Sequence, residues 1–478
     1  MTSARHVARN SLVQFAGRGV TMAVSLAILT LLSRYLGPYE FGQYQLVIAF
    51  LLLVNISDLG ITTIAIRHLS TAQRPEDEIM GNILVIRAAL ALVTTLLAVA
   101  IAFAIGYSVE ATKAIALASL SFPLMLLSGS YNAIFAAKLR MEFAAIGNVA
   151  QALTTLVLMA AVAITGGGLV RMLIAYDIGF LANSLVCLAF ARRFVSLRPR
   201  FDRGYSRRVI LEALPLGTAV IVIAVYSRID TLLLKAFDGS EAVGYYTFAY
   251  RAVDLAAPLS LMFIGSVFPL LANHHAAEQR DDFRRLYQRT QDFLSLVGIS
   301  MLTLMILFAR PLVDLVGGDP YAPAVMSLRI LSMAFGLIWL SNLVDHSLIA
   351  IGRQEVLFRN ACLGLAVNVG ANLVLIPLYG RDGAAVATVL TEVAVVIPAL
   401  YVLSRYLGGL PSFWVAWRLL PVALVAGGVV YMLRLPWFEE AAVTCAVLAT
   451  GAALLRIVSL RDIRAVLRRE PFDATAQA

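Results

Sequence analysis

Blocks of about 20 predominantly apolar residues recur along the chain, and each is long enough to cross about 30 Å of hydrocarbon as an α-helix. We count about fourteen such blocks, separated by short polar connections. Apolar residues make up 60% of the 478 residues and charged residues 14%, whereas soluble proteins average about 45–50% and about 25%. These observations exclude a soluble enzyme, a disordered protein, a secreted disulfide scaffold and a single-span receptor. They predict an all-α, polytopic membrane protein.

The predicted spans form two series of six, followed by a final pair. The first series occupies residues 1–200, the second occupies 201–408, and residues 409–478 contain the last two spans and a basic cytoplasmic tail. The spans are 11–33, 41–66, 82–105, 114–136, 143–165 and 169–191, then 209–234, 242–271, 290–309, 324–350, 356–378 and 383–404, and finally 413–433 and 437–457.

Positive charge is concentrated in the predicted connections between spans. The chain has 38 Lys and Arg against 29 Asp and Glu, which gives a net charge of +9. Short cytoplasmic loops retain Lys and Arg during membrane insertion, and this bias predicts that both termini are cytoplasmic. The tail, with arginines between 461 and 469, is expected to lie against anionic lipid headgroups. Because the charge lies in these loops, we predict no nucleic-acid partner.

Three short patterns recur in the same order in the two series and indicate an internal duplication. The pairs are Gly42-Gln43-Tyr44 with Gly244-Tyr245-Tyr246, Arg140-Met141-Glu142 with Arg353-Gln354-Glu355, and Asp177 with Glu392, each of these acids lying nine residues after a glycine. Since each series has an even number of spans, the two halves share one orientation and are related by an axis along the membrane normal. We therefore predict two pseudo-symmetric six-helix lobes with a transport path in the cleft between them.

The sequence lacks the motifs of soluble catalytic sites, including a P-loop, G-x-G-x-x-G, G-x-S-x-G and H-E-x-x-H. The five histidines are scattered, and Cys187, Cys362 and Cys445 lie far apart inside apolar blocks, where we expect them to act as packing residues. We predict no catalytic residue and no metal ligand.

Arginines inside the predicted spans are informative, because an arginine at mid-helix costs about 2.5–3.5 kcal/mol to insert unless it faces protein or water. Arg18 and Arg251 lie deep enough to line a central cavity. Arg87 and Arg329 lie near enough to helix ends to snorkel to an interface, which is the alternative for them. A guanidinium donates paired hydrogen bonds to phosphate. The candidate substrate-binding cations are Arg18, Arg251, Arg228 and Arg87.

Five acidic residues also lie inside the predicted spans. They are Asp58, Asp177, Asp230, Asp254 and Glu392. They are candidates for coupling transport to H⁺ or Na⁺, with no bound cofactor, although hydrogen bonding between helices explains them equally well. Arg251 and Asp254 are three residues apart on one helical face, so an ion pair with a structural role is a further alternative.

Several segments of the chain resemble parts of a known family. Ser227-Arg228-Ile229-Asp230-Thr231 with Gly239-Ser240-Glu241-Ala242-Val243-Gly244-Tyr245-Tyr246 and Ala249-Tyr250-Arg251 is similar to the central signature of the bacterial polysaccharide biosynthesis flippases. The run from Leu32 to Tyr44, with Asp58-Leu59-Gly60 after it and Gly352-Arg353-Gln354 later, resembles other parts of that family. These proteins belong to the multidrug/oligosaccharidyl-lipid/polysaccharide exporter superfamily.

The resemblance implies a V-shaped pair of six-helix lobes, with two extra C-terminal helices, that flips an undecaprenyl-pyrophosphate-linked oligosaccharide across the bacterial inner membrane. It implies Arg18 and Arg251 as cavity cations, a groove for the lipid tail along the first, second, seventh and eighth helices, and a role in lipopolysaccharide or exopolysaccharide assembly. The expected partners are the lipid-linked oligosaccharide, membrane lipids, and a polysaccharide polymerase with its export machinery. The alternatives are a peptidoglycan-precursor (lipid II) flippase, a membrane glycan polymerase and a multidrug exporter.

Overall fold

The computed structural model describes the backbone of residues 4–54, 58, 60–71, 74–104, 109–433 and 435–455. It describes the side chains of the same residues except 4–16, 53, 54, 109–111, 215, 216, 219, 220 and 223. The basic tail predicted to contact lipid headgroups lies outside these residues.

The described chain is all-helical, as the sequence predicts, with fifteen α-helices and a 3₁₀ turn at Asp319–Tyr321. The helices are α1 (Ala4–Val54), α2 (Ile61–Thr71), α3 (Glu76–Ala104), α4 (Val109–Ala118), α5 (Ser121–Ala137), α6 (Glu142–Ile164), α7 (Leu169–Ala191), α8 (Arg203–Tyr226), α9 (Ile229–Ala276), α10 (Arg280–Leu307), α11 (Ala309–Val316), α12 (Ala324–Ala350), α13 (Gln354–Leu407), α14 (Trp414–Leu433) and α15 (Trp437–Leu454).

Within the described residues, eleven helical segments are long and apolar enough to cross a membrane. Three of these contain a glycine with non-helical backbone angles, namely Gly37, Gly239 and Gly380. Each glycine has a positive φ, which side chains with a β-carbon rarely adopt. Each kink divides one long helix into two segments, so the eleven described helices comprise fourteen helical segments, which agrees with the fourteen spans that the sequence predicts.

Three predicted spans are interrupted in the structure. In the second, α1 ends at Val54 and α2 begins at Ile61. The fourth contains a break at Ser119 and Leu120, between α4 and α5, and the seventh contains a turn at Ser227 and Arg228, between α8 and α9. Hydropathy alone does not detect such breaks, because they involve only a few residues. A pair such as Ser227 and Arg228 barely lowers the mean hydropathy of the span around it. Interrupted helices expose backbone groups that can contact ions or substrates in transporters.

The two repeats that the sequence indicates have matching backbone angles and matching local contacts. Gly37 and Gly239 are 202 residues apart and have φ/ψ of 69°/174° and 87°/−177°. Before α6 the amide of Arg140 donates to the carbonyl of Phe135 at 2.8 Å, and before α13 the amide of Arg353 donates to that of Leu348, also at 2.8 Å. Each arginine also pairs with the glutamate two residues later.

Contacts divide the chain into two compact units. One comprises Met1–Phe248, Val316–Tyr321 and Leu365–Ala384, and the other comprises Ala249–Leu315, Ala322–Gly364 and Ala385–Ala478. In the first, α2, α3, α5, α7 and α8 enclose a core that includes Met80, Phe135 and Cys187. In the second, Val415 of α14 and Ala452 of α15 pack with Leu296 of α10, which attaches the last two spans to that unit. The predicted lobe boundaries at 200 and 408 stay a prediction.

Candidate functional site

Arg18 lies on α1 as an exposed cation. Its neighbour Gly17 packs against α6, where a β-carbon on Gly17 would lie 3.2 Å from the Cβ of Ala145. Arg18 is exposed, and its side chain makes no ion pair or hydrogen bond with any other described residue. A cation in this position inside a membrane-spanning helix is energetically costly unless water or an anion accompanies it.

Arg251 and Asp254 form the ion pair that their spacing predicts. The distance from Nη1 of Arg251 to Oδ2 of Asp254 is 3.4 Å, and the two side chains are 36% and 26% exposed. The guanidinium is partly exposed, and its pairing with Asp254 reduces the cost of placing it in α9.

Arg87 is fully buried on α3 and contacts α2, α5 and Asp58, which precedes α2. Its guanidinium donates to Asp58 and to Thr62 at 2.5 Å each, to the Ser130 hydroxyl at 3.1 Å, and to the carbonyl of Leu126. The side chain also covers Gly129, where a β-carbon would lie 2.6 Å from Nη1. In this conformation the guanidinium connects α2, α3 and α5, and its substrate-binding role stays a prediction.

Asp230 is buried and joins the two segments of α9 that flank the kink at Gly239. The Tyr246 hydroxyl donates to Oδ2 of Asp230 at 2.5 Å, and the backbone amide of Thr231 donates to Oδ1 at 2.6 Å. Arg228, half-buried at the start of this region, interacts electrostatically with Asp230. Asp230 thus holds the geometry of the segment whose sequence resembles the family signature.

Asp177 and Glu392, the repeat-related acids of α7 and α13, are both buried, at 8% and 6% exposure. Neither carboxylate oxygen of Asp177 has a hydrogen-bond partner among the described residues. A buried carboxylate without a donor is strongly disfavoured when charged. Asp177 is therefore a buried acid whose charge no described hydrogen-bond donor stabilises.

The structure also contains a close helix contact that the sequence analysis did not predict. A β-carbon on Gly42 would overlap the carbonyl of Ser240, and one on Gly244 would overlap the carbonyl of Pro38. Next to this contact, Phe41 packs edge to face against both Phe248 and Tyr321. The motif containing these glycines was visible as a repeat, but nothing in a single sequence shows that its two copies face each other.

A second unpredicted network joins α2 to α8. His68 is buried, with Nδ1 2.8 Å from the Tyr205 hydroxyl and Nε2 3.0 Å from Glu212, and Arg67 also pairs with Glu212. These partners are more than 130 positions apart in the chain, so no local signal reveals them.

Asp202 directly precedes α8 and joins this network through Tyr205. It accepts from Arg74 at 2.8 Å and from the amides of Gly204 and Tyr205, so it caps the helix. The hydrogen bond from the Arg74 guanidinium holds the pKa of the Asp202 carboxyl below its usual range. An aspartate directly before an apolar helix is a cap signal that the sequence does contain.

Comparison with known proteins gives two family matches. The family described as polysaccharide biosynthesis protein matches residues 7–275, and the MatE family matches residues 215–374. The probable flippase AglR of Haloferax volcanii is 28% identical over 196 residues, which is 39% of this chain and 40% of that protein. The match therefore spans well under half the length of that curated relative.

Solved structures share the fold over most of the chain. The lipid II flippase MurJ in an inward closed conformation has a TM-score of 0.78 at 15% identity, covering 95% of this chain and 99% of that one. A multidrug resistance MATE family transporter in an inward-facing conformation has a TM-score of 0.70 at 15% identity, covering 83% and 98%. Identities this low show the fold alone, whereas the family match over residues 7–275 covers more than half of the 478 residues. The chain therefore belongs to the polysaccharide biosynthesis protein family.

Proposed function

We propose that this protein is a flippase that moves an undecaprenyl-pyrophosphate-linked oligosaccharide across the bacterial inner membrane by alternating access, without covalent chemistry. The observation that carries the proposal is Arg18, an exposed guanidinium in a membrane-spanning helix that pairs with no other described residue. Family membership and the flippase named among the relatives support the same activity.

In this proposal, Arg18 and Arg251 bind the pyrophosphate. A planar guanidinium can donate two parallel hydrogen bonds to phosphate oxygens. Arg251 already pairs with Asp254 at 3.4 Å, so an incoming pyrophosphate competes with a carboxylate for it. That competition keeps binding reversible, which a transporter needs in order to release its cargo.

The proposed orientation has both termini in the cytoplasm, and α1 then begins at the cytoplasmic face and reaches the external face at Gly37. The close contact between Gly42 and Gly244 lies just beyond that kink and closes the external side. Asp177, buried without a hydrogen-bond donor among the described residues, is the proposed site of H⁺ or Na⁺ coupling. The proposed partners are the polymerase and the export machinery that use the flipped glycan.

A lipid II flippase is the second candidate, because MurJ shares the fold over 95% of this chain. Both candidates carry a polyprenyl pyrophosphate and differ in the glycan, so substrate competition separates them.

The test is translocation of a fluorescent lipid-linked oligosaccharide in proteoliposomes, with and without imposed proton and Na⁺ gradients. We expect labelled lipid to become accessible in the opposite leaflet at a rate that depends on the protein. Preference for lipid II over the oligosaccharide carrier would favour the second candidate. A chemically altered lipid would show an enzyme, and export of cationic dyes alone would show a multidrug transporter; either result would overturn the proposal.

A further inference from the structure

An open groove of 760 Å³ runs between α1 and α6. Along α1 its wall is formed by residues at helical spacing on one face, including Ala23, Ala27 and Thr30, and along α6 by Leu156 and Ala160. Small side chains on both helices leave the space, and Leu26, Leu31 and Leu156 also line it. Thr30, Arg34 and Tyr35 are the polar residues of the lining, and its other residues are apolar.

The two polar end residues are Arg34 and Tyr35, at the end of the groove next to the kink at Gly37. The Tyr35 hydroxyl donates to the carbonyl of Gly167, in the loop after α6, at 3.0 Å. The exposed Arg34 donates through Nε to the carbonyl of Val316 at 3.1 Å. The groove thus has a positively charged end and an apolar body.

The depth of the groove matches one leaflet of a bilayer. From Ala23 to Arg34 the helix advances about 16 Å at about 1.5 Å per residue, and half of a hydrocarbon core of about 30 Å is about 15 Å. An apolar slot of that depth with a guanidinium at the interface is complementary to a hydrocarbon chain that ends in a phosphate.

We propose that this groove binds the polyprenyl tail of the carrier lipid in the external leaflet, with its phosphate at Arg34. The inference rests on the proposed function and adds a site to it. The groove lies on the same helix that bends at Gly37 and continues into the contact between Gly42 and Gly244. A tail in the groove therefore contacts the helix that takes part in closing the external side. This position differs from the groove along the first, second, seventh and eighth helices that the family resemblance implies.

The probe is a polyprenyl phosphate with a photoreactive diazirine in its tail, added to the full-length protein in nanodiscs, with crosslinked peptides located by mass spectrometry. We expect crosslinks in the segments 23–31 and 156–160. Ala160→Trp fills the groove and should lower them about tenfold, since exclusion of two methylene groups changes affinity by about that factor. Ala161→Trp is the matched control, because Ala161 is exposed on the same helix and outside the groove.

Two competitors identify the occupant. Unlabelled polyprenyl phosphate should reduce the crosslinks, while an equal amount of uncharged polyprenol or phosphatidylglycerol should not. Equal competition by phosphatidylglycerol would mean that the groove holds bulk lipid, and crosslinks confined to other helices would mean that the tail binds elsewhere; both results overturn the inference. Groove crosslinks in a protein that does not translocate lipid-linked oligosaccharide would reject the proposed function and leave the tail site standing.

Discussion

The backbones of Gly42 and Gly244 approach each other so closely that neither position has room for a β-carbon. A β-carbon on Gly42 would lie 2.8 Å from the amide nitrogen of Gly244, and one on Gly244 would lie 3.3 Å from that of Gly42. The other overlaps are also reciprocal, since Gly42 approaches Ser240 and Gly244 approaches Pro38. The equivalent residues, Gly42 with Gly244 and Pro38 with Ser240, are 202 residues apart in the chain. The contact is therefore made by equivalent residues of the two repeats, as expected at a pseudo-twofold axis.

Alanine at either glycine should weaken this contact. We expect Gly42→Ala and Gly244→Ala each to destabilise the conformation described here by about 1–3 kcal/mol, the usual cost of an added methyl group in a packed interface. Distances between spin labels on the segments after Gly37 and Gly239 should lengthen, and transport should fall. Gly19→Ala is the control, because no atom lies within 4 Å of a β-carbon there. Unchanged distances in both variants would show that the contact is not a closing element.

Removal of a substrate cation should reduce transport without unfolding the protein. We expect Arg18→Ala and Arg251→Ala to lower the transport rate about tenfold to a hundredfold, because a hydrogen bond to a charged group contributes about 1.5–3 kcal/mol. Arg329→Ala, at another exposed arginine of a membrane-spanning helix, is the matched control. The rate in proteoliposomes and the melting temperature are measured together. Full transport by both test variants would assign these arginines to structure.

The sequence predicts the helical class, the number of crossings and the duplication, because these depend on hydropathy and on short local patterns. It also predicts the pair Arg251 and Asp254, since their spacing on one helix face is local. It cannot predict that Arg87 is surrounded by protein, because its partners Asp58 and Ser130 lie 29 and 43 positions away. Whether a charged side chain inside a span is buried or exposed depends on how the helices pack. That packing cannot be inferred from one sequence alone.

Breaking the network around Arg87 should be strongly destabilising. Arg87→Met leaves Asp58 without its cation, and Asp58→Asn leaves Arg87 buried without an anion. Removal of one partner from a buried ion pair typically costs about 3–5 kcal/mol, although the partial exposure of Asp58 favours the lower end for Arg87→Met. Thermal unfolding in detergent measures the loss. A double variant less destabilised than the sum of the single ones would show that the two residues act as a pair.

The ion pair between Asp202 and Arg74 should be lost only at low pH. The pKa of Asp202 is lowered by the hydrogen bond from Arg74, so its contribution is complete above the unfolded value of about 3.9 and disappears as the pH falls through the lower, folded value. Asp202→Asn keeps a residue that caps α8 equally well and removes the charge. We expect a small drop in melting temperature at pH 7 that vanishes under strongly acidic conditions. A drop of the same size at every pH would mean that the cap, and not the ion pair, is what the substitution changes.

Asp177 provides the sharpest test of ion coupling, because stability and transport should change in opposite directions. Both of its carboxylate oxygens are buried without a hydrogen-bond partner among the described residues, so an uncharged side chain of similar shape removes an unfavourable buried charge. We expect Asp177→Asn to unfold at the same or a higher temperature than the wild type and to lose the stimulation of transport by an imposed gradient. Asn183→Asp, also in α7, is not an equivalent control, because Asn183 already hydrogen-bonds Asn148 and Gln151. Asp254→Asn, at a partly exposed acid paired with Arg251, is the better comparison. If Asp177→Asn keeps the full gradient response, the coupling site lies elsewhere, and Asp177 serves only to pack α7.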